Sequence, residues 1–330
     1  MAASGLMSSA VLDRARAGDA EAFRELVDPH LRELHVHCYR MLGSVTDADD
    51  VLQDTLTAAW RGLDGFAGLA SLRTWLYRIA TNRCLNAIRR SKRRPAAEPV
   101  PPFDPPEPTT RNEITWLQPY PTPEVGYEAR EAIELAFIAA LQRLPPRQAA
   151  ALLLCDVLGF SIADVTAMLE TSPTAVKGAL QRARSAVAEN RPSTTSPPTG
   201  STQEQDLARR FATALTAGDV DGVVALLTDD AWLAMPPAPH EYVGRAPIAE
   251  FLRTSAAWRR RSGLRLAVEP TTANGQPAFC VSLTSPDGAH ATPASVMVLT
   301  ITPDGIAGLT NFLDPRLPPI FERRSPEIRF

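Results

Sequence analysis

The sequence predicts a multidomain chain in which two all-α domains precede an α+β domain, and three features divide its 330 residues in this way. Apolar residues recur at helical spacing across residues 10–94 and 127–190, the two expected helical domains. Residues 95–126 read as an acidic, proline-rich linker, and residues 191–203 as a flexible one. Helical runs followed by strand-like runs in residues 204–330 indicate a mixed domain.

The first domain begins with helices expected over residues 20–26 and 31–42. Thr46 is expected to cap a third helix that runs to about Arg61. Its first turns carry four carboxylates, which a helix N-terminus favours: Asp47, Asp49, Asp50 and Asp54. They lack the spacing of a calcium-binding loop, so no metal is expected there. They are interpreted either as a helix start with a solvated face or as a surface that holds a protein partner.

A long helix capped by Ser71 is expected after the glycine-containing loop at residues 64–70. Its core stripe is apolar: Leu72, Trp75, Leu76 and Ile79. Its other side is polar: Thr74, Arg78 and Thr81. Residues 73–94 contain eight cations and no acid, which suits phosphate neutralisation; a solvated basic helix end is the alternative. Tyr77 and Asn82 among the cations favour contacts with unpaired bases.

Residues 161–169 and 172–187 predict a helix-turn-helix. Ser161 with Asp164 three residues later is a capping signal, and Ser172 is expected to cap the second helix. The buried stripe of that helix is expected to be Val176, Leu180, Ala183 and Val187. The roughly opposite face carries donors and cations suited to base edges and phosphates: Thr174, Lys177, Gln181 and Arg184. A surface helix of an ordinary bundle is the alternative.

Two further helices are expected before this motif, over residues 137–144 and 148–158. Pro145 and Pro146 separate them, and Gly159 ends the second. The result is a compact helical domain whose last two helices read DNA.

The linker at residues 95–126 is expected to be extended. About 30 extended residues at ~3.1 Å each span ~90 Å, enough to reach two sites separated by two turns of DNA, roughly 70 Å apart. Residues 114–120 are unexpectedly apolar within it, because Trp116, Leu117 and Tyr120 would be costly to expose. We therefore expect this segment to dock on another surface.

Composition sets further bounds on the function. The four cysteines, Cys38, Cys84, Cys155 and Cys280, form no Cys-x-x-Cys pair and indicate reduced thiols of a cytoplasmic protein. His35, His37 and Cys38 suggest a metal site, but successive helical positions point apart, so no metal or cofactor is expected. No apolar run reaches membrane-spanning length, so no membrane insertion is expected.

Three stretches resemble regions 2 and 4 of bacterial RNA polymerase sigma factors, and more narrowly the extracytoplasmic-function class. They are DADDVLQDTLTAAWRGLDGF, SLRTWLYRIATNRCLNAIRR and LPPRQAAALLLCDVLGFSIADVTAMLETSPTAVKGALQRARSAV. The resemblance implies three binding surfaces. For the β′ clamp helices of core RNA polymerase it implies Asp47, Asp49, Asp50 and Gln53. For the melted −10 element of promoter DNA it implies Asp64, Phe66, Ser71, Arg73, Arg78, Asn82, Arg83, Arg89 and Arg90. For the −35 element it implies Ser172, Thr174, Lys177, Gln181, Arg182 and Arg184.

In the last domain, helices are expected over residues 205–217 and 220–227. Strands are expected over residues 231–235, 264–269, 278–284, 294–301 and 306–313. The pattern FATALTAGDVDGVVALLTDDAWLAMPP, followed by YVGRAPIAEFL, resembles the SnoaL-like (cystatin/NTF2-like) cone of helices on a curved sheet.

That fold often encloses an apolar pocket, which Trp232, Met235, Trp258 and Phe279 would line unless they are core. The ionisable residues near it are Asp229, Asp230, His240 and Glu241. Spacing assigns no acid–base pair among them, so no catalytic residue is expected.

These patterns and the two resemblances together predict a cytoplasmic, non-enzymatic sigma factor whose fused C-terminal domain modulates its activity in cis. An unidentified small ligand or an anti-sigma protein is a further expected partner. One alternative is a sigma-like DNA-binding chain fused to an active small-molecule isomerase or cyclase. Another is an operator-binding repressor that uses only the helix-turn-helix, although a repressor has no need of the acidic helix.

Overall fold

The computed structural model divides into two units, Met1–Pro95 with Ala140–Asn190, and Ala96–Ala139 with Arg191–Phe330. The residues described are 10–68, 70–91, 101–111, 117–121, 135–189, 201–236, 238 and 240–322. Several expectations lie outside them: the end of the basic run at residues 92–94, the apolar residues 114–116, and most of the flexible linker at residues 191–203. The expected boundary of the first linker, residues 95–126, stays a prediction.

The first unit opens with helix α1, Ala20–Leu42, which is one helix where two were expected. Pro29 lies inside it and forfeits a backbone hydrogen bond at a cost of about 3 kcal/mol. The helix continues because its buried face is unbroken on both sides of the proline, with Phe23 and Val27 before it and Leu34 after it. Tertiary packing therefore outweighs the local signal to stop.

Helix α2, Val45–Gly62, starts two residues earlier than expected, because Ser44 rather than Thr46 caps it. Ser44 has an extended backbone, φ −130° and ψ 125°, and its hydroxyl accepts from the N–H of Asp47 at 3.1 Å. A short 3₁₀ turn, Leu63–Gly65, then leads to the loop before the next helix.

Helix α3, Leu72–Ser91, begins as predicted, since Ser71 Oγ accepts from the N–H of Thr74 at 3.0 Å. Thr81 was expected on the polar side, and this is wrong: it is fully buried and lies 2.9 Å from Nε2 of His37. The buried imidazole of α1 needs a polar partner, and Thr81 supplies it. His35 of the same helix has a different partner, since its Nε2 contacts Asp49.

Helices α4, Leu135–Gln142, and α5, Pro146–Leu152, precede the helix-turn-helix. Helix α5 widens into a π turn, Leu153–Val157, and Gly159 follows with φ +72°. The motif itself is confirmed as α6, Ile162–Met168, and α7, Pro173–Glu189. Ser161 and Asp164 form the predicted capping box, and Ser172 Oγ accepts from the N–H of Ala175 at 3.2 Å.

The second unit packs helices against a mixed sheet. Its helices are α8, Thr202–Ala217, α9, Val220–Val224, α10, Arg245–Arg261, and α11, Pro318–Glu322. Its strands are β1, Thr110–Arg111, β2, Leu227–Ala234, β3, His240–Val243, β4, Arg265–Ala273, β5, Gln276–Thr284, β6, Ala291–Thr302, and β7, Gly305–Phe312. Their order in the sheet is β1-β3-β2-β7-β6-β5-β4, and the β2–β7 pair is parallel.

The sequence missed β1 and β3, which are too short to show alternation. The core between the helices and the sheet is centred on aromatic residues from four elements: Phe211 of α8, Tyr242 of β3, Phe251 of α10 and Phe279 of β5. Asn274 and Gly275, both with positive φ, make the tight turn between β4 and β5.

Candidate polymerase-binding and DNA-binding surfaces

The N-terminal end of α2 presents an acidic surface. Asp47, Asp49 and Asp50 are exposed, and Gln53 is half-buried one turn further on. Asp49 Oδ1 lies 2.9 Å from Nε2 of the buried His35, which holds this carboxylate in place. Partial burial and the neighbouring acids, Asp47 first, raise the pKa of Asp50. Crowded carboxylates of this kind favour a cationic partner, because its approach relieves their repulsion.

The loop before α3 contains one exposed and one buried candidate. Asp64 is exposed, whereas Phe66 is only 9% exposed and packs on Trp75 with ring centroids 5.1 Å apart. Arg16 donates to the carbonyl oxygen of Phe66 and ties the loop down. Ser71 is exposed but is used as the helix cap. In this conformation the loop therefore packs against α3, and neither Phe66 nor the Ser71 hydroxyl is free to contact a base.

The middle of α3 is engaged by the helix-turn-helix domain. Arg78 Nη2 pairs with Glu170 Oε1 at 3.0 Å, and Asn82 Nδ2 donates to the Met168 carbonyl at 3.5 Å. Both partners lie at the end of α6 and in the turn after it. Three proposed −10 residues of α3 are thus held by groups outside that helix, because Arg73 is also engaged.

Arg73 is held by an acid and two rings. Its Nε donates to Glu33 Oε2 at 3.1 Å, and its guanidinium lies 5.0 Å from the ring centre of Tyr77 and 4.7 Å from that of Phe160. Tyr77 and Phe160 also contact each other edge to face, with centroids 5.2 Å apart. Cation–π and aromatic contacts of this kind contribute about 0.5–1.5 kcal/mol each.

The C-terminal half of α3 is more open. Arg83, Arg89 and Arg90 are exposed, and Arg89 Nη1 donates to Asn86 Oδ1 of its own helix at 3.2 Å. These three cations therefore remain accessible to an anionic partner.

The outer face of α7 presents all six residues assigned to the −35 element. Each of them is exposed: Ser172, Thr174, Lys177, Gln181, Arg182 and Arg184. The opposite stripe is buried as predicted at Val176, Leu180 and Ala183, while Val187 is only half-buried. Buried and exposed faces on one helix, following a capped turn, are the arrangement a recognition helix requires.

Arg184 differs from its neighbours on this face. Asp156, in the π turn after α5, accepts from its Nε at 2.8 Å and from its Nη2 at 2.7 Å. This bidentate pair raises the pKa of Arg184 and fixes its direction. Within the described residues, no hydrogen bond or ion pair holds Lys177 or Gln181. Asp156 could not be predicted as a partner from local sequence patterns, because the pair joins residues 28 positions apart.

In the second unit, two of the four proposed pocket residues, Met235 and Phe279, lie in the core, and Trp232 and Trp258 are half-buried. Met235 is fully buried, and Phe279 stacks on Phe211 with centroids 6.0 Å apart. Trp232 covers Gly308 of β7 so closely that a Cβ there would lie 2.3 Å from the indole. The acids are at the surface: Asp229 pairs with Arg245 at 2.9 Å, and Asp230 accepts from the Thr228 hydroxyl at 2.8 Å.

Among the described residues, no group of three or more histidine, cysteine or acidic side chains is arranged to hold a metal ion. In the same residues, no helix has the length and apolar character needed to cross a membrane.

Three family models match consecutive parts of the chain. Sigma-70 region 2 matches residues 26–94, Sigma-70 region 4 matches residues 134–187, and the SnoaL-like domain matches residues 208–307. These matches fall on α1–α3, on α4–α7 and on the second unit.

The proteins that are similar to this chain share one family name, and their similarity covers half of the chain or more. The ECF RNA polymerase sigma factor SigG of Mycobacterium tuberculosis is 41% identical over 319 residues, covering 93% of this chain and 84% of that protein. SigM of the same species is 37% identical over 172 residues, which is 52% of this chain and 78% of SigM. The crystal structure of Mycobacterium tuberculosis SigJ shares the fold with a TM-score of 0.58 at 22% identity, covering 87% of this chain and 95% of that one. The chain therefore belongs to the extracytoplasmic-function family of RNA polymerase sigma factors and carries a SnoaL-like domain after region 4.

Proposed function

We propose that this sigma factor brings core RNA polymerase to its promoters through three surfaces of its helical domains. The acidic end of α2 binds the β′ clamp helices, α3 with its preceding loop holds the melted −10 element, and α7 reads the −35 element. The observation that carries the proposal is the outer face of α7, where all six proposed residues are exposed on a helix whose inner stripe is buried.

On α7, the exposed side chains divide into two chemical roles. The amide of Gln181 can donate to and accept from one adenine edge, which is direct readout in the major groove. Lys177, Arg182 and Arg184 can neutralise phosphates or contact guanine. Because Asp156 already orients Arg184, its guanidinium loses less conformational freedom on binding than a free side chain would.

On α3, Asn82 and the exposed cations suit an unpaired strand rather than a duplex. Arg83, Arg89 and Arg90 supply charge for the backbone, and the Asn82 amide supplies hydrogen bonds for a base. Arg78 and Asn82 must first leave Glu170 and Met168. Binding of the −10 element thus requires the helix-turn-helix to move off α3.

The polymerase contact is tested by charge reversal at Asp50→Lys, alone and with Asp49→Lys. Removing negative charge from a surface that faces a cationic partner should weaken binding, by about 1.5 kcal/mol or more for close pairs. The measurement is the dissociation constant for core polymerase from the pull-down of labelled chain, expected to rise at least tenfold.

Asp28→Lys is the matched control, because Asp28 is an exposed acid of α1 outside the proposed contact. The single Asp50→Lys variant keeps the Asp49–His35 contact, so a change in its affinity does not come from the loss of that contact. Unchanged affinity in both Asp50 variants, with folding intact, would remove α2 from the polymerase interface.

The C-terminal domain is proposed to be a regulator in cis and not an enzyme, in a cytoplasmic protein. Its acidic candidates Asp229 and Asp230 are exposed and already paired with Arg245 and Thr228, so they form no acid–base pair aimed at a substrate. The full chain is expected to show no turnover of ketosteroid or polyketide substrates. Turnover of such a substrate by the purified full chain would establish the enzymatic alternative.

A further inference from the structure

The C-terminal end of α10 carries a dense positive charge. Residues 251–268 contain five arginines and no acidic residue, although residues 201–322 as a whole have fewer arginines than acids, 9 against 13. Three of the five follow one another at the end of the helix, and another is the first residue of β4. These four residues form what we call the basic cluster: Arg259, Arg260, Arg261 and Arg265.

The turn between α10 and β4 keeps the basic cluster together. The N–H of Leu264 donates to the Arg259 carbonyl at 2.9 Å, and the N–H of Gly263 donates to the Arg260 carbonyl at 3.3 Å. Gly263 has φ +67°, the left-handed conformation that ends many helices. Arg265 is therefore one residue beyond a backbone hydrogen bond to the last turn of α10. Apart from the half-buried Arg259, the basic cluster is exposed to solvent.

The basic cluster differs from the other arginines of residues 201–322, which have acidic partners. Arg253, two turns earlier on the same helix, pairs with Asp221 of α9 at 2.7 Å. The remaining ones also lie within 3.8 Å of a carboxylate oxygen: Arg209, Arg210, Arg245 and Arg316. Within the described residues, no ion pair holds any member of the basic cluster. Four positive charges thus lie side by side without a counterion from the described chain.

The hairpin that packs against this turn does not supply the missing acid. A Cβ at Gly263 would lie 3.6 Å from Pro286, in the hairpin between β5 and β6. The same hairpin contains Asp287, whose carboxylate accepts from the Ser285 hydroxyl at 2.5 Å and from the N–H of Ala289 at 3.1 Å. These two bonds lower the pKa of Asp287. The carboxylate is therefore engaged within its own turn.

Arg259 shows the cost of this unmatched charge. Its side chain is half-buried, and its Nη1 donates to a neutral partner, Ser255 Oγ, at 2.7 Å. Burial, and secondarily the neighbouring Arg260, lowers the pKa of Arg259. The dipole of α10 favours cations at this end, but it does not account for Arg265, which lies in β4. An anion bound at the basic cluster would relieve both the repulsion and the lost solvation.

We propose that the basic cluster binds the phosphate backbone of duplex DNA that flanks the −35 element. Arginine suits this ligand, because its guanidinium stays charged and donates two hydrogen bonds to one phosphate. Backbone contacts carry no base preference, so this site adds affinity without changing which −35 sequence is read. The location beside the −35 element rests on the proposed function, since it assumes that α7 binds there.

The short connection between α7 and α8 keeps the basic cluster within reach of that DNA. Helix α7 ends at Glu189, and Ser201 caps α8, so 12 residues lead from one to the other. They span at most about 40 Å, and a domain of this size measures roughly 35 Å across. The basic cluster therefore stays within about 20 base pairs of a −35 element bound by α7. A tether of this length gives a millimolar effective concentration, so a few phosphate contacts suffice.

The salt dependence of duplex binding by the full chain tests the site. The cluster variant, with Arg260→Ala, Arg261→Ala and Arg265→Ala, should bind a random-sequence duplex of ~40 base pairs at least tenfold more weakly at ~0.1 M salt. The slope of log affinity against log salt should become shallower by about 2.7, because each phosphate contact contributes about 0.9. Lysine at the same three positions should keep most of the slope, since it keeps the charge. Fluorescence anisotropy measures affinity and slope.

The matched control removes three arginines that already have acidic partners in the same domain: Arg209→Ala, Arg210→Ala and Arg316→Ala. It has the same net charge as the cluster variant, and we expect its affinity and slope to stay near those of the wild type. Equal losses in the two triple variants would overturn the site. An unchanged slope in the cluster variant, with folding intact by circular dichroism, would also overturn it.

Poly-glutamate distinguishes DNA from an acidic protein partner. Its charges are about 3.3 Å apart when extended, whereas duplex DNA carries one per ~1.7 Å. The peptide should therefore compete weakly with the duplex for the wild-type chain. Competition as strong as that of unlabelled duplex, at equal concentration of charge, would overturn the assignment to DNA.

Hydroxyl-radical footprinting of the holoenzyme on a promoter tests the location. The wild type should protect the backbone at the −35 element and also within about 20 base pairs beside it. The cluster variant should lose the flanking protection and keep the protection at the element. Identical flanking protection in the two chains would overturn the location. Absence of protection at the −35 element in the wild type, with a normal salt slope on random duplex, would instead count against the proposed function.

Discussion

The two proposed DNA surfaces of the helical unit differ in how ready they are to bind. The outer face of α7 is open, with six exposed side chains and one of them, Arg184, directed by Asp156. The middle of α3 is occupied, because Arg78 and Asn82 contact Glu170 and Met168. Under the proposed function, the −35 element is therefore read without moving a domain, whereas the −10 element needs the helix-turn-helix to leave α3.

The energy that holds α3 comes from packing more than from charge. The Arg78–Glu170 pair is exposed on both sides, at 49% and 71%, and pairs of this kind contribute about 0–1 kcal/mol. Phe160, which contacts Tyr77 and Arg73, adds aromatic and cation–π contacts of about 0.5–1.5 kcal/mol each. Under the proposed function, contacts of this size are exchanged for contacts with a melted strand.

The largest expected effect is on the open surface. Arg184→Ala should weaken binding of the holoenzyme to −35 DNA by ~1–3 kcal/mol and relax the preference at one base pair, if the guanidinium reads a base. Competition binding against single-base variants of the site measures both. Arg147→Ala is the control, since Arg147 is an exposed cation of the same domain away from the face. A uniform loss across sequences would assign Arg184 to phosphate, and no loss would mean that α7 does not bind DNA.

The next effect concerns His37 of α1, which contacts Thr81 on the buried side of α3. Burial, and secondarily Arg40, lowers the pKa of His37 to about 3, below the usual value of 6.5, so the folded chain keeps it neutral. The unfolded chain takes up a proton below pH 6.5, and stability therefore falls as pH decreases through this window. The slope for one group is at most about 1.4 kcal/mol per pH unit, or about 2 kcal/mol between pH 7 and pH 5.

Urea unfolding of the full chain as a function of pH measures this effect. His37→Gln should flatten the pH dependence, whereas His290→Gln, at an exposed site, should leave it unchanged. The same slope in wild type and His37→Gln would show that another group causes the acid sensitivity.

The smallest effect is on the occupied surface. Glu170→Ala removes the partner of Arg78 and should strengthen binding of a −10 single strand to the free chain by up to about fivefold, equivalent to ~1 kcal/mol. Fluorescence anisotropy with a labelled oligonucleotide is the measurement. Glu25→Ala is the control for the change in net charge, because Glu25 is exposed on α1. An equal gain in both variants would indicate a long-range charge effect rather than release of α3.

The sequence predictions that were confirmed depend on local signals. Ser161, Asp164, Ser172 and Ser71 were correctly identified as caps, because a cap acts on backbone groups two or three residues away. Long-range partners could not be predicted. Thr81 was assigned to the wrong side because His37, 44 residues earlier, selects its environment. The contact between Phe103 and Phe251 of α10 could not be predicted either, because nearly half the chain separates the two residues.

Transcription by purified core polymerase with the full chain, on a fragment library of the host genome, tests the central claim most directly. We predict transcripts that require the chain and start from a small set of promoters sharing one −10 and one −35 sequence. In the same assay, Arg184→Ala should lose the −35 preference and Asp50→Lys should lower all transcripts. The claim would be contradicted if the chain bound the −35 sequence as duplex DNA but no transcript depended on the chain. That is the behaviour of an operator-binding repressor.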